Sequence, residues 1–533
     1  MRRRNRVFFL HAWQRHKAGC STLVNHHSKE QALMMNDPRC WIRWKVPCRW
    51  LAATTLALLL AAGWAAPPAQ ANKLETASVM APLDMRFNDQ MRNDFRRQLK
   101  IAKDMGVKSV EVDVWWGVVA QNGEDQLDWS YYDSVFGDIE QAGLHIVPIM
   151  SFHKCGGNVG DSCNIPLPYW MSYSFISDKS NGQKCQCDLM YKSEQGNLNN
   201  ETVALWEDDW AIPKYQAFMA KFKEHYAGKN GIIDEIVIST GPAGELRYPS
   251  YNSHDTGSGW PTRGFFQAYS EPARADFRAW VIKKYGNLDG VNKAWGRLDT
   301  PLTSVEQIGP PEEGQGGAGR ANKFVERGDY QRIAYGRDFI DWYNGSLIKH
   351  GRRMLDAANK SFGGDFAVIP LAIKIPGVHW QMASDTEHPR IAEIAAGLIP
   401  TSVDFSSDDS GHGYGPAMAM IKDFRSIRSV NLHFTALERD NCEETHTCWQ
   451  DASQAKALVF WMAQAANANQ VPIKGENALS GGVTYDHGWD NIVNAFQYSS
   501  YSGLTVLRIA DVTDNPTGKW RYSNFIAVYR NWQ

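Results

Sequence analysis

Residues 232–251 read Ile-Ile-Asp-Glu-Ile-Val-Ile-Ser-Thr-Gly-Pro-Ala-Gly-Glu-Leu-Arg-Tyr-Pro-Ser-Tyr. The apolar, β-branched run at 232–240 predicts a short buried strand. It stops at Gly241-Pro242-Ala243-Gly244, where glycine permits a sharp reversal and proline stiffens the path. Glu245 follows, with Arg247, Tyr248 and Tyr251 close behind. A strand that ends in a stiff turn and then presents a carboxylate holds that acid at the rim of a sheet. Beside aromatic rings the carboxyl would lose part of its hydration. That raises a carboxyl pKa and suits it to protonating a sugar oxygen.

Seven other β-rich runs accompany this one, at 77–83, 109–115, 145–152, 367–373, 429–435, 471–475 and 504–509. Helical patterns lie between them, for example at 91–103, 129–142, 214–226 and 452–468. Eight strand–helix alternations predict an α/β fold, a closed (β/α)8 TIM barrel. Asp113, His153, Glu245, Lys374, Thr435, Glu476 and Arg508 each fall at or just past the C-terminal end of a run. In such a barrel those ends converge on one mouth, where active sites lie. The connections at 154–231 and 246–366 are too long for simple loops and predict a lobe over the mouth. The glycine- and proline-rich stretch 309–319 reads as a flexible surface loop. No internal repeat is visible, and the short tail after the eighth run predicts no appended carbohydrate-binding domain.

Formal net charge is −2 and charged residues make up 21% of the 533-residue chain, which excludes a nucleic-acid footprint. Residues 1–71 read as a leader rather than as fold. Arg43, Lys45 and Arg49 precede an apolar block at 51–66, and Ala69-Gln70-Ala71 follows. That is the layout of a secretory signal, and the block is short for a membrane span. The expectation is therefore a secreted or periplasmic protein with no membrane association after cleavage. Residues 72–533 would form a single catalytic domain. Six cysteines follow the predicted cut: Cys155, Cys163, Cys185, Cys187, Cys442 and Cys448. An even number fits disulfides in an oxidising compartment. Cys155 and Cys163 enclose a short glycine-rich loop and are expected to pair. Cys185 and Cys187 would bond elsewhere, or to each other under strain. A zinc site is the rival reading, disfavoured because no second pair has C-x-x-C spacing.

Two carboxylates stand out, Glu245 and Glu476, the latter in Lys474-Gly475-Glu476-Asn477-Ala478-Leu479. Either alone is as readily a structural ion-pairing acid at a strand end. Together, on different strands of one mouth, they match the pair that glycoside hydrolysis needs: one protonates the leaving oxygen, the other activates water or attacks the sugar. The loop from His153 to Cys163 carries glycines and Asp161, and reads either as a plain surface loop or as a lid closing over substrate. His153 alone is more often a hydrogen-bonded core histidine. Of 21 tryptophans, Trp115, Trp116, Trp260 and Trp380 sit beside polar turn residues, favouring pocket walls or sugar platforms over core.

These motifs carry a resemblance. Residues 112–117 (Val-Asp-Val-Trp-Trp-Gly), the His153–Cys163 loop, residues 241–251, Gly377-Val378-His379-Trp380, Phe434-Thr435-Ala436-Leu437-Glu438 and residues 475–479 together resemble the β-amylases, glycoside hydrolase family fourteen, bacterial type. The likeness covers about residues 76–512. It implies an exo-acting, inverting hydrolase that releases maltose from the non-reducing ends of α-1,4-glucans. It implies Glu245 as general acid and Glu476 as general base. Asp113, His153 and Asp161 would hold the non-reducing glucose, and Lys374, His379 and Trp380 the leaving side. Thr435 would orient the base or the product, with Asn477, Ala478 and Arg508 as further contacts near the bound disaccharide.

Some bacterial members bind a structural calcium after the position of Trp116. Here Ala120 stands where a ligating acid is expected, though Glu124 and Asp125 remain nearby. The expectation is no required cofactor, with a structural calcium left open but disfavoured by the lost acid, a monomer, and an α-1,4-glucan as the partner. The alternatives are a catalytically silent glucan-sensing or binding protein on the same scaffold, and another barrel glycosidase such as a β-galactosidase.

Overall fold

The computed structural model describes residues 73–156, 161–178, 185–296, 301–311, 321–382, 389–405 and 407–530. The predicted leader with its cleavage site, lid residues 157–160 and most of the 309–319 stretch lie outside the described residues.

Eight parallel strands close into a barrel in sequence order. They are β1 (Thr76–Met80), β2 (Ser109–Trp115), β3 (His145–Ser151), β4 (Ile236–Ile238), β5 (Leu371–Pro376), β6 (Val430–Thr435), β7 (Ile473–Glu476) and β8 (Tyr501–Val506). Pairing of β1 with β8, Thr76 opposite Gly503, completes the ring. Every predicted run contains a strand, with shifted ends. β4 is shorter than 232–240 because Asp234 turns aside to pair with Lys108 and His145. β5 starts later than predicted because the 3-10 turn at 364–366 runs on through residue 369, whose N–H bonds the Phe366 carbonyl at 3.1 Å.

A helix follows each strand: Asp89–Met105, Ser130–Gln141, Asp208–His225, Ala334–Ser361, Gly415–Arg425, Ala455–Ala468, Asp486–Tyr498 and Pro516–Tyr529. The main hydrophobic core fills the space between this ring and the outward faces of the strands. Among the described residues no helix is long and apolar enough to cross a membrane.

The barrel interior follows from the period of two along each strand. Its separate apolar cluster holds only Met80, Val147, Ile149, Val237 and Ala372. Much of the remaining lining is polar. Glu111, Lys374, His433, Lys474, Glu476 and Thr505 are all buried there and bonded to one another or to Glu235. Charges in a barrel centre persist only when paired.

The two long connections pack on each other, as the lobe predicted. A ribbon of Tyr191–Lys192 and Leu198–Asn199 grips the 252–268 segment. Ser193 donates to Asp255 at 2.6 Å, and Arg263 pairs with Glu194 at 2.7 Å. The lobe meets the mouth where Trp380 Nε1 donates to the Thr262 carbonyl at 2.7 Å.

Candidate active site

The turn after β4 holds Glu245 by backbone shape. Ala243 and Gly244 take left-handed conformations, φ 54° and 80°. At Gly241 a Cβ would come within 2.4 Å of the Glu245 carbonyl oxygen and 2.7 Å of that of Arg247, so only glycine fits the folded-back chain. Glu245 Oε2 accepts from Arg247 Nε at 2.9 Å. The guanidinium, 1% exposed, also donates to Asn252 Oδ1 and lies 4.2 Å from the Tyr251 ring centre. Asn252 in turn donates to buried Glu201, whose other oxygen takes the Ala243 N–H at 3.0 Å. Glu245 Oε1 accepts from Thr435 Oγ1 at 3.0 Å. The acid is therefore flanked by a cation and a hydroxyl. Tyr248 does not face it, contrary to expectation. That ring is buried flat on Tyr343, 3.9 Å between centres, and its hydroxyl donates to the Tyr343 carbonyl.

Glu476 is the last residue of β7, opposite Thr435 in the β6–β7 register. Thr435 thus links the two carboxylates, bonding one and pairing in the sheet with the other. Lys374 Nζ donates to Glu476 Oε2 at 2.6 Å and to Glu111 Oε2 at 3.2 Å. Lys374 lies inside β5 rather than at its end, since Ile375 and Pro376 continue the pairing with β6. Complete burial pushes the Glu476 carboxyl up; Lys374 pulls it down and Glu111 pushes it up again, leaving it above the ordinary glutamate range. Burial opposes the Lys374 charge, but Glu111 and Glu476 outweigh it and hold the ammonium firmly protonated.

Asp113 and His153 are held at the ends of β2 and β3, and Asp161 lies in the loop that follows. Asp113 Oδ1 accepts from Ser151 Oγ at 2.7 Å. Burial raises its pKa, against the pull of that hydroxyl, Lys374 and Arg508. His153 Nδ1 bonds Ser239 Oγ at 2.9 Å, and its ring lies edge-on to Trp115. Burial, then Arg247 and Lys374, lower its pKa to about 3, so it is a neutral donor or acceptor. Asp161 Oδ2 accepts the Gly156 N–H at 2.9 Å. Cys155 and Cys163 are joined, as expected. Cys185 joins Cys187, and Cys442 joins Cys448; the sequence left those pairings open.

On the opposite side, His379 Nδ1 bonds Ser453 Oγ at 2.6 Å. Burial, then Arg439, lower its pKa to about 3. Trp380 stands edge-on to His379 and to Tyr251. Asn477 does not bond the Glu476 carboxylate: its amide ties the Leu479 carbonyl to the Leu507 N–H, at 2.8 Å each. The Ala478 N–H donates to Glu438 at 2.8 Å. Arg508 Nη1 donates to the Leu507 carbonyl at 2.6 Å.

Of the four tryptophans, Trp116 is core, packed on Trp170, Tyr215 and Phe152. Trp115 is also buried, donating to the Leu83 carbonyl while backing His153. Trp380 is buried against Tyr251 and His379, and Trp260 is half exposed. In the stretch after Trp116, two of the groups near the expected calcium position are engaged elsewhere. The Ala120 carbonyl accepts from Trp170 Nε1 at 2.7 Å, and Glu124 pairs with Lys214 at 3.0 Å.

Sequence reasoning missed Glu111, Glu201, Glu235 and His433. The signal for two of them was the period of two: Glu111 shares a strand face with Asp113, and His433 with Thr435. Glu201 lies in a long connection and had no local signal.

The family model for glycosyl hydrolase family 14 matches residues 78–529. A β-amylase of Cytobacillus firmus is 38% identical over 484 residues, 89% of this chain and 92% of its own. A β-amylase of Bacillus cereus is 35% identical, over 85% of this chain and 74% of its own. The crystal structure of the catalytic domain of β-amylase from Paenibacillus polymyxa superposes with a TM-score of 0.71 at 36% identity, over 86% of this chain and 99% of that one.

Proposed function

Because the chain belongs to glycosyl hydrolase family 14, we infer that its barrel mouth divides the work of glycoside hydrolysis between Glu245 and Glu476. The enzyme is a β-amylase. It hydrolyses α-1,4-glucosidic bonds of starch and related glucans from non-reducing ends and releases maltose with inversion. The observation that carries the residue assignment is the linked pair: Thr435 bonds one carboxylate and pairs in the sheet with the other.

In the reading proposed, Glu245 is the general acid. Arg247 fixes Oε2, which leaves Oε1 to carry the proton delivered to the glycosidic oxygen. Glu476 is the general base. It removes a proton from a water on the opposite face of the sugar as that water attacks C1. The C1–O bond breaks to the leaving glucan, which takes the proton from Glu245. The attacking water's oxygen becomes the new anomeric hydroxyl. Asp113 and His153 hold the terminal glucose, and Asp161 closes over it with the disulfide-pinned loop. Closure would bar chain beyond the end sugar. His379 and Trp380 line the leaving side, and Lys374 belongs to the base's setting. Neither calcium nor another cofactor enters the scheme. We further propose that the enzyme is exported and acts as a monomer, with 72–533 as its catalytic domain. The basic–apolar–Ala-x-Ala leader and the three disulfides support export.

Exo action is tested by cut pattern. Maltose should appear while the viscosity of a long glucan falls slowly, and a cyclodextrin should survive. Rapid thinning or cyclodextrin cleavage would contradict a closed site.

A further inference from the structure

The charge lining the barrel interior is more than the two-carboxylate scheme needs. Glu111 sits on β2, two residues below Asp113 on the same inward face, and is fully buried. Its Oε1 accepts from Thr505 Oγ1 at 2.6 Å, and its Oε2 accepts from Lys374 Nζ at 3.2 Å. The same ammonium donates to Glu476 Oε2 at 2.6 Å. One cation therefore serves two carboxylates. The other lysine of the lumen, Lys474, is occupied by Glu235 at 2.8 Å, which also holds His433 Nε2 at 3.1 Å. It cannot relieve either carboxylate.

We propose that Glu111 is a positioning residue for the general base: it fixes the Lys374 ammonium from below and shares its charge, so that Glu476 is oriented by Lys374 without being neutralised by it. This rests on Glu476 being the base. A carboxylate with an ammonium to itself in a dry site is well oriented and weakly basic. A second carboxylate on the same ammonium restores basicity and keeps the geometry. Burial works against the Glu111 charge, but Lys374 and His433 outweigh it, so its carboxyl lies below the ordinary range. The charged and titratable groups around Glu476 are Lys374 from β5, Glu111 and Asp113 from β2, and His433 from β6. Asp113 in turn faces Arg508, beyond β8. Glu111 and Asp113 share its sign, and only Glu111 is bonded to its lysine.

The test is the pH profile of kcat/KM on a maltooligosaccharide. Glu111→Gln keeps the shape and removes the charge. Its acid limb should move down by about one pH unit, the low end of a neighbouring charge's effect. The plateau kcat should fall several-fold, because the base is weaker, with KM little changed. Glu111→Asp retains the charge one methylene further away and should lie between the two. It is also the variant to read if the glutamine form does not fold. A residue that merely supports the barrel would lower activity equally at every pH. An acid limb unmoved in the folded variant overturns the proposal. Full activity in Glu476→Gln would instead remove the reading it rests on.

Discussion

Glu245 and Glu476 differ in what surrounds them, while the roles proposed for them rest on the family motifs in which they sit. Glu245 is partly open, with one oxygen on Arg247 and the other on a hydroxyl. Glu476 is buried on the single ammonium it shares with Glu111. Glu245→Gln keeps the bond to Arg247 and removes the proton, so kcat should fall at least about 10²-fold, the usual worth of general acid catalysis. Glu476→Gln should abolish turnover while maltose still binds by calorimetry. Normal turnover by either folded variant contradicts its role. Both acids were legible in the sequence because each sits at or just past a strand's end and in a family motif. The tyrosines beside Glu245 misled: adjacency in sequence placed Tyr248 next to the acid, but the chain turns and puts its ring in the core. Arg247 was legible as a neighbouring cation. Glu201, which steadies the turn through Asn252 and the Ala243 N–H, lies in a long connection with no pattern to single it out.

At the level of elements, the β4 turn converts strand position into carboxylate position. Gly241→Ala would drive a methyl into the carbonyls of Glu245 and Arg247. Backbone cannot yield as a side chain end would. The variant should lose about 1–3 kcal/mol of stability, the range for a forced overpacking, and more kcat than KM. A urea midpoint and kinetics equal to the parent's would show that the turn has room. The eight strands were readable because each run is rich in strand-forming residues and helical patterns lie between them. Their ends were not, because ends are set by tertiary pairing: Asp234 leaves β4 for Lys108 and His145. The Cys155–Cys163 link was readable from spacing. The Cys185–Cys187 and Cys442–Cys448 links were not, since spacing leaves several pairings open.

Across the whole molecule, polar groups packed into the barrel and its mouth make stability depend on pH. His153 and His379 are buried neutral, each with a pKa lowered to about 3 by burial first and then by nearby cations. Unfolded, each would take a proton near pH 6.5. Between those values the unfolded chain binds more protons, so stability falls as pH drops from about 6.5 towards 3. Asp113 and Glu476, with raised pKa values, act in the opposite sense over their own range. The urea midpoint should be lower at pH 5 than at pH 7, and His379→Gln should lose less over that interval. A midpoint unchanged or higher at pH 5 would contradict the two buried neutral imidazoles. The alternation of strands and helices made the barrel legible before any coordinate, and the paired long connections announced the lobe. The density of charge inside the barrel was hidden, because each such residue looks solvent-exposed until the ring closes. The central claim is that an acid and a base on one mouth, with a water between them, invert the cleaved linkage. Proton NMR of the first maltose released from a maltooligosaccharide tests it most directly. The β anomer should appear first and then equilibrate. First appearance of the α anomer would mean retention through a covalent intermediate and would contradict the account.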